Sequence, residues 1–224
     1  MRAAALKKQF ASVLGEHLDW QSRPEPERAR SGVAEVDGVT GGLPRGCLTE
    51  IYGSASSGRT SLLLAILAEA TAREELCALV DTEDSLDPVS AAGCGVRLSR
   101  LLWIRCGHDA EQALKAADLL VQGGGLGLVV LDLGDTPPEN ARRISLTSWF
   151  RLRRAVEHTP AVLVTVGRQS YAKTCASLLL ECRRERADWS GARGSSRLLR
   201  GIAVRATSTN RSKACSPVFT ATAI

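Results

Sequence analysis

The stretch Gly53-Ser54-Ala55-Ser56-Ser57-Gly58-Arg59-Thr60-Ser61 follows Cys47–Tyr52, whose composition reads as a strand, and runs into residues 60–72, whose apolar spacing is helical. Its residues match the phosphate-loop pattern G-x-x-x-x-G-K-[ST] at every fixed position except the lysine, which is Arg59 here. Two glycines let the backbone turn tightly, so that successive N–H groups point inward. The amino end of the following helix adds a partial positive charge. A loop of this kind needs a strand before it and a helix after it, and that order predicts an α/β fold.

A Gly- and Ser-rich loop is also an ordinary flexible turn, so the reading needs a second element. It comes with Leu128-Val129-Val130-Leu131-Asp132, an apolar strand ending in a carboxylate, as expected of a Walker B residue. Together the two segments predict a site for ATP or ADP with Mg²⁺. Backbone groups from Gly53 to Ser61 hold the phosphates, and the Thr60 hydroxyl and Asp132 serve the metal. Arg59 is the departure. Guanidinium is larger, planar and directional where the ammonium is compact, so the exchange is not conservative. Phosphoryl transfer depends almost wholly on electrostatic positioning, which predicts retained nucleotide affinity with weak or absent hydrolysis.

Outward from the loop, strands are expected at Cys77–Asp81, Leu101–Arg105, 126–132 and 161–166, with helices at 110–122 and 145–158. Strands alternating with helices predict a mainly parallel sheet covered on both faces, with ligands at the strands' carboxyl ends. The tail differs. Residues 177–186 and 202–209 alternate like strands around an Arg-, Gly- and Ser-rich stretch, and are expected as antiparallel additions at the sheet edge. At the other end, Leu6, Phe10, Val13, Leu14 and Leu18 make the apolar stripe of an amphipathic helix, and residues 21–30 read as an exposed Pro- and charge-rich linker. The stripe packs either on its own domain or on a neighbouring subunit. The organisation expected is residues 1–30 as helix and linker, a candidate oligomerisation arm, and 31–224 as the ATP-binding core.

Composition narrows the class. A net charge of +5 and a pI of about 9.0 allow a polyanionic partner without requiring one. The 7 cysteines are an odd number and form no C-x-x-C pair, which favours reduced thiols over a disulfide frame or a zinc site. No stretch reads as a signal peptide or membrane span, so a soluble cytoplasmic protein is expected.

Several separate segments resemble the RecA recombinases. They are Gly41-Gly42-Leu43-Pro44-Arg45-Gly46, Glu50-Ile51-Tyr52-Gly53, Ser56-Ser57-Gly58, Val80-Asp81-Thr82-Glu83-Asp84-Ser85-Leu86-Asp87-Pro88, and Glu111-Gln112-Ala113-Leu114. The similarity is dense over 41–132 and fainter beyond. It implies that Glu83 is the general base orienting the attacking water. Asp87 falls beside the adenine, where Ser90 replaces a stacking tyrosine. The residue sensing the γ-phosphate falls at Arg168-Gln169, with Gln169 the chemically conservative choice. Arg211 and Lys213 fall where the family reaches the next subunit's nucleotide, or else are a solvated basic loop.

The segments after Asp132 and Gln169 are shorter than the family's DNA-binding loops, and no counterpart of its carboxyl-terminal domain is expected. These truncations resemble the short RecA-like accessory proteins of translesion synthesis, the ImuA group. The resemblance implies an accessory factor in DNA repair, SOS response and mutagenesis. Its expected partners are single-stranded DNA, like subunits or a RecA-type recombinase through the amino-terminal helix, and a translesion DNA polymerase. The alternative is an active DNA-dependent ATPase and recombinase. Two basic groups bear on DNA contact: Arg142, Arg143, Arg151, Arg153 and Arg154, and then Arg183, Arg184, Arg186, Arg193, Arg197 and Arg200. Trp149 and Phe150 could stack on bases, although helix aromatics are more often core.

Overall fold

A computed structural model describes residues 25–190, 198–208 and 218–222. The expected helix over 2–18 lies outside them, as do Arg193, Arg197, Arg211 and Lys213. The described elements are β1 (Arg28–Ala29), α1 (Ala34–Thr40), β2 (Leu43–Pro44), β3 (Cys47–Tyr52), α2 (Arg59–Ala72), β4 (Cys77–Asp81), α3 (Pro88–Gly93), β5 (Leu101–Arg105), α4 (Ala110–Gly123), β6 (Leu128–Leu133), α5 (Pro138–Ala141), α6 (Leu146–Val156), β7 (Val162–Gly167), β8 (Leu178–Ser190), β9 (Leu198–Ser208) and β10 (Val218–Thr222). Eight strands form one sheet in the order β10-β9-β8-β3-β7-β6-β4-β5. All its pairings are parallel except β8 with β9 and β9 with β10.

Successive side chains of a strand point to opposite faces, so a strand buried on both sides feeds two cores. Ile51, Leu79, Val130 and Val164 join one apolar cluster with Leu62, Leu63, Ile66 and Leu67 of α2. Leu48, Val80, Val129, Leu131 and Leu163 join the other, with Ala113, Leu114 and Ala117 of α4 and Trp149 and Leu152 of α6. Local caps set the helix starts. Asp109 accepts from Glu111 N and Gln112 N, and Ser145 Oγ accepts from Ser148 N.

The predicted α/β architecture is the one observed, antiparallel strands at the carboxyl-terminal edge included, with two differences. The tail strands β8, β9 and β10 run antiparallel to one another, and β8 joins the sheet parallel to β3, from Thr49 opposite Leu178 to Tyr52 opposite Glu181. The linker reading stops short of residue 30, because β1 pairs with β2 and Ala29 is buried. The short helices α1, α3 and α5, each no longer than 7 residues, had too few turns to show a period. No helix among the described residues is long and apolar enough to cross a membrane.

Candidate nucleotide-binding site

The phosphate loop leaves β3 between its two parallel neighbours, β7 and β8, at the strands' carboxyl ends. Gly53 N donates to Gly167 O at 3.1 Å, pinning the loop's first residue to the end of β7. Ser57 N closes a turn onto Ser54 O at 3.2 Å, with Ser56 at φ 57° and Gly58 at φ 91°. The left-handed region at Gly58 favours glycine, and space demands it too: a Cβ there would overlap Val204 of β9. A Cβ on Gly53 would overlap the Cys182 carbonyl oxygen of β8. The β8–β9 ribbon therefore forms one wall of the loop.

Arg59 is buried and its guanidinium is turned onto backbone oxygens. Nη1 donates to Gly53 O at 2.7 Å and Ser54 O at 2.9 Å, and Nη2 to Gly134 O at 2.6 Å and Asp135 Oδ1 at 3.1 Å. The side chain thus ties the loop to the segment following β6. Gly134 makes room for it, since a Cβ there would lie 2.8 Å from Asp132 Oδ1 and 3.2 Å from Arg59 Nε. Two buried donors, Ser57 Oγ and Arg59 Nε, have no partner. The first-turn amides of α2 lack intrahelical acceptors by the geometry of any helix start. These unsatisfied donors around a glycine-lined turn fit the oxygens of a phosphate group.

Asp132 sits at the end of β6, partly buried, and accepts from Gly134 N at 2.7 Å through Oδ1. Burial pushes its carboxyl up from 3.8 to about 6, with the charges of Asp81 and Asp135 adding to the rise and the Gly134 N–H and Arg59 opposing it. Thr60, second residue of α2, is exposed. No group of three or more His, Cys, Asp or Glu is arranged around a metal among the described residues. A hydroxyl and one carboxylate suit an ion carried in mainly by phosphate oxygens and water, which is the habit of Mg²⁺.

Other expected site residues fall at varying distances in the network. Glu83 follows β4, with Oε2 2.6 Å from His108 Nδ1 and Oε1 buried without a partner. Asp87 caps α3, accepting from Val89 N, Ser90 N and Ser90 Oγ. Gln169 Oε1 accepts from Arg142 at 3.1 Å, whereas Arg168 reaches Gly134 O at 3.3 Å and Asp135 at 3.8 Å. Of that adjacent pair, Arg168 is the one in contact with the segment Arg59 holds. A groove of about 520 Å³ runs beside α2, lined by Ser61, Ala65, Ser90, Cys94 and Phe219 among others.

Sequence reasoning missed three residues. Glu50 is buried in β3 and accepts from Ser170 Oγ, Tyr171 N, Ala172 N and Lys173 N at 2.6 to 3.2 Å, fixing the loop after β7. An acid in the middle of an apolar strand was the available signal. Asp135 and His108 had none beyond their position in polar loops. Of the aromatic pair, Trp149 is core at 1% exposure and Phe150 is 43% exposed. In the second basic group Arg183 pairs with Glu181 and Arg186 with Asp188.

The chain is similar to proteins named Protein RecA. It is 47% identical to that of Deinococcus radiodurans over 130 residues, which is 57% of this chain and 35% of the relative. It is 41% identical to that of Fusobacterium nucleatum over 132 residues, 58% and 34%, and 47% identical to that of Ectopseudomonas oleovorans over 94 residues, 41% and 26%. The chain thus spans about a quarter to a third of the length of these relatives. The family model for the RecA N-terminal domain matches residues 6–137, well over half of the 224 residues and the whole span from β1 through Asp132. On that match, laid over a parallel sheet with the phosphate loop at its centre, the chain belongs to the RecA N-terminal domain family.

Proposed function

We propose that the protein binds an adenine nucleotide with Mg²⁺ at this loop and serves DNA repair as a RecA-like accessory factor with weak or absent hydrolysis. The observation that carries the reading is the engagement of Arg59. Four of its N–H groups go to Gly53 O, Ser54 O, Gly134 O and Asp135, so the loop's own cation is spent on holding the loop. The cradle and Asp132 remain for binding, while a mobile positive charge at the transferring phosphoryl is missing. Mg²⁺ supplies charge neutralisation when it is bound. Thr60 and Asp132 are the residues to hold it, and the groove beside Ser61 and Ser90 is sized for the base.

The placement of Glu83 adds to this. With Oε2 held by the His108 imidazole, the base has a single oxygen left to orient water. The same residue favours the alternative of an active DNA-dependent ATPase, because its other oxygen is buried and unpartnered and the general base is retained. Repair function, partnership with like subunits or a recombinase through residues 1–21, and action beside a translesion polymerase rest on the family and on the short segments after Asp132 and Gln169. Contact with single-stranded DNA rests on the same family context and on Arg142 and Lys173, which line a cavity of about 490 Å³ with Leu146 and Tyr171.

Calorimetry with Mg-ADP and Mg-ATP, followed by steady-state hydrolysis with and without single-stranded DNA, tests the proposal. Saturable binding with no DNA-stimulated turnover is expected. A DNA-stimulated rate abolished by Glu83→Gln would establish the alternative, and no heat at millimolar nucleotide would end the nucleotide reading.

A further inference from the structure

Asp135 occupies a place that the expected ligand chemistry gives no reason to fill with an acid. It lies three residues past Asp132, is exposed, and stands between the two guanidinium groups that reach the end of β6. Arg59 Nη2 is 3.1 Å from its Oδ1 and Arg168 Nη2 is 3.8 Å from the same atom. Both arginines also bond Gly134 O, so their heads converge on one short segment. Among the groups holding Arg59, the Gly53, Ser54 and Gly134 carbonyls are fixed by backbone, and Asp135 is the one anion, on a side chain free to rotate toward solvent. A phosphate oxygen drawn to these two guanidiniums meets a carboxylate already there.

Resting on the nucleotide reading of this loop, we infer that Asp135 is a built-in competitor for the terminal phosphate, neutralising Arg59 and Arg168 until a polyphosphate displaces it. The chemistry recognised is that of a di- or triphosphate chain rather than of the base. Its consequence is a weakened affinity that keeps the loop empty at low nucleotide concentration. Removing the negative charge while keeping the shape leaves the positive charge of both guanidiniums uncompensated, Arg59 keeping its three carbonyl bonds, and the entering phosphate no longer faces like-charge repulsion.

The experiment is calorimetric titration of the full chain with Mg-ADP, Mg-ATP and Mg-tripolyphosphate, comparing wild type with Asp135→Asn, Asp135→Ser and, as an exposed carboxylate on α5, Glu139→Gln. Near-ultraviolet circular dichroism checks the fold of each. Both Asp135 variants should bind all three ligands about three- to tenfold tighter, the range for one half-screened charge at a few ångströms, and Glu139→Gln should match wild type. Unchanged or weaker binding by the Asp135 variants, with clear nucleotide binding by wild type, overturns the competitor role and leaves the nucleotide site standing. A gain for the nucleotides without one for tripolyphosphate also overturns it. No heat from any ligand in wild type and variants alike removes both.

Discussion

Replacing Arg59 by alanine should destabilise the fold far more than loss of a surface cation would. The guanidinium makes two buried hydrogen bonds, to Gly53 O and Gly134 O, and two partly buried ones, to Ser54 O and Asp135. Hydrogen bonds from a charged donor contribute about 1.5–3 kcal/mol each when buried, and less where water can replace the donor. The two buried bonds alone therefore give a loss of about 3–6 kcal/mol, or on the order of 10 °C in midpoint for a domain of this size. Arg59→Met refills the apolar volume without a donor and should recover little of it, while Arg59→Lys, which cannot fork across both segments, should recover about half. Urea and thermal unfolding of the four proteins measure this. A loss under about 1 kcal/mol for Arg59→Ala, or wild-type stability in Arg59→Met, would show that the guanidinium does not tie the loop to β6.

Asp132 gives a pH signature. Its proton leaves near 3.8 in the unfolded chain and about 6 when folded, so the folded state binds the extra proton across that window and stability falls as pH rises through it. Asp132→Asn should equal wild type at about pH 3, below both values, and exceed it at pH 7 by at most about 3 kcal/mol, read from denaturation at both pH values; equal stability at pH 7 would contradict the burial cost. Mg-nucleotide affinity should decline as pH drops below about 6, followed by calorimetry. Glu50→Gln keeps one acceptor oxygen and turns an NH₂ toward N–H donors, so it should cost about 3–5 kcal/mol in urea unfolding. Gly58→Ala should lose about 2–4 kcal/mol from strain and overlap. Adding Val204→Ala relieves the overlap with β9 but not the φ of 91°, so a full thermal rescue by the double variant would refute the strain component.

Much of this molecule was legible because its signals were local and repeated. Strand alternation and helical spacing located β3, β4, β5, α2 and α4 nearly to the residue, and the glycine pattern located the loop. The match of Asp81 or Glu83 to a family segment could not say what those side chains touch. Asp81 accepts from Ser85 N, Leu86 N and Trp103 Nε1 and shapes the loop that carries Glu83, a contact that needs β5 to be adjacent. The partners of Arg59 were illegible for the same reason: Gly134 is 75 residues away, and nothing in the loop's spacing announces it. The parallel junction of β8 with β3 was not legible, because alternation marks a strand but carries no information about the sense of its neighbour. That sense is set by the connection, here a crossing past β3 from β7.

The position of β3 has a consequence for how the chain is made. Its neighbours are β7, beginning at Val162, and β8, beginning at Leu178, so the strand that bears the phosphate loop has no sheet partner until more than a hundred further residues have been synthesised. Assembly of such non-local pairings is slow, and the apolar faces of β3 and α2 stay unburied meanwhile. Emerging from the ribosome, the segment would be a customer for holding chaperones, and refolding from denaturant should show its sheet closing as one late step rather than growing outward from the amino terminus.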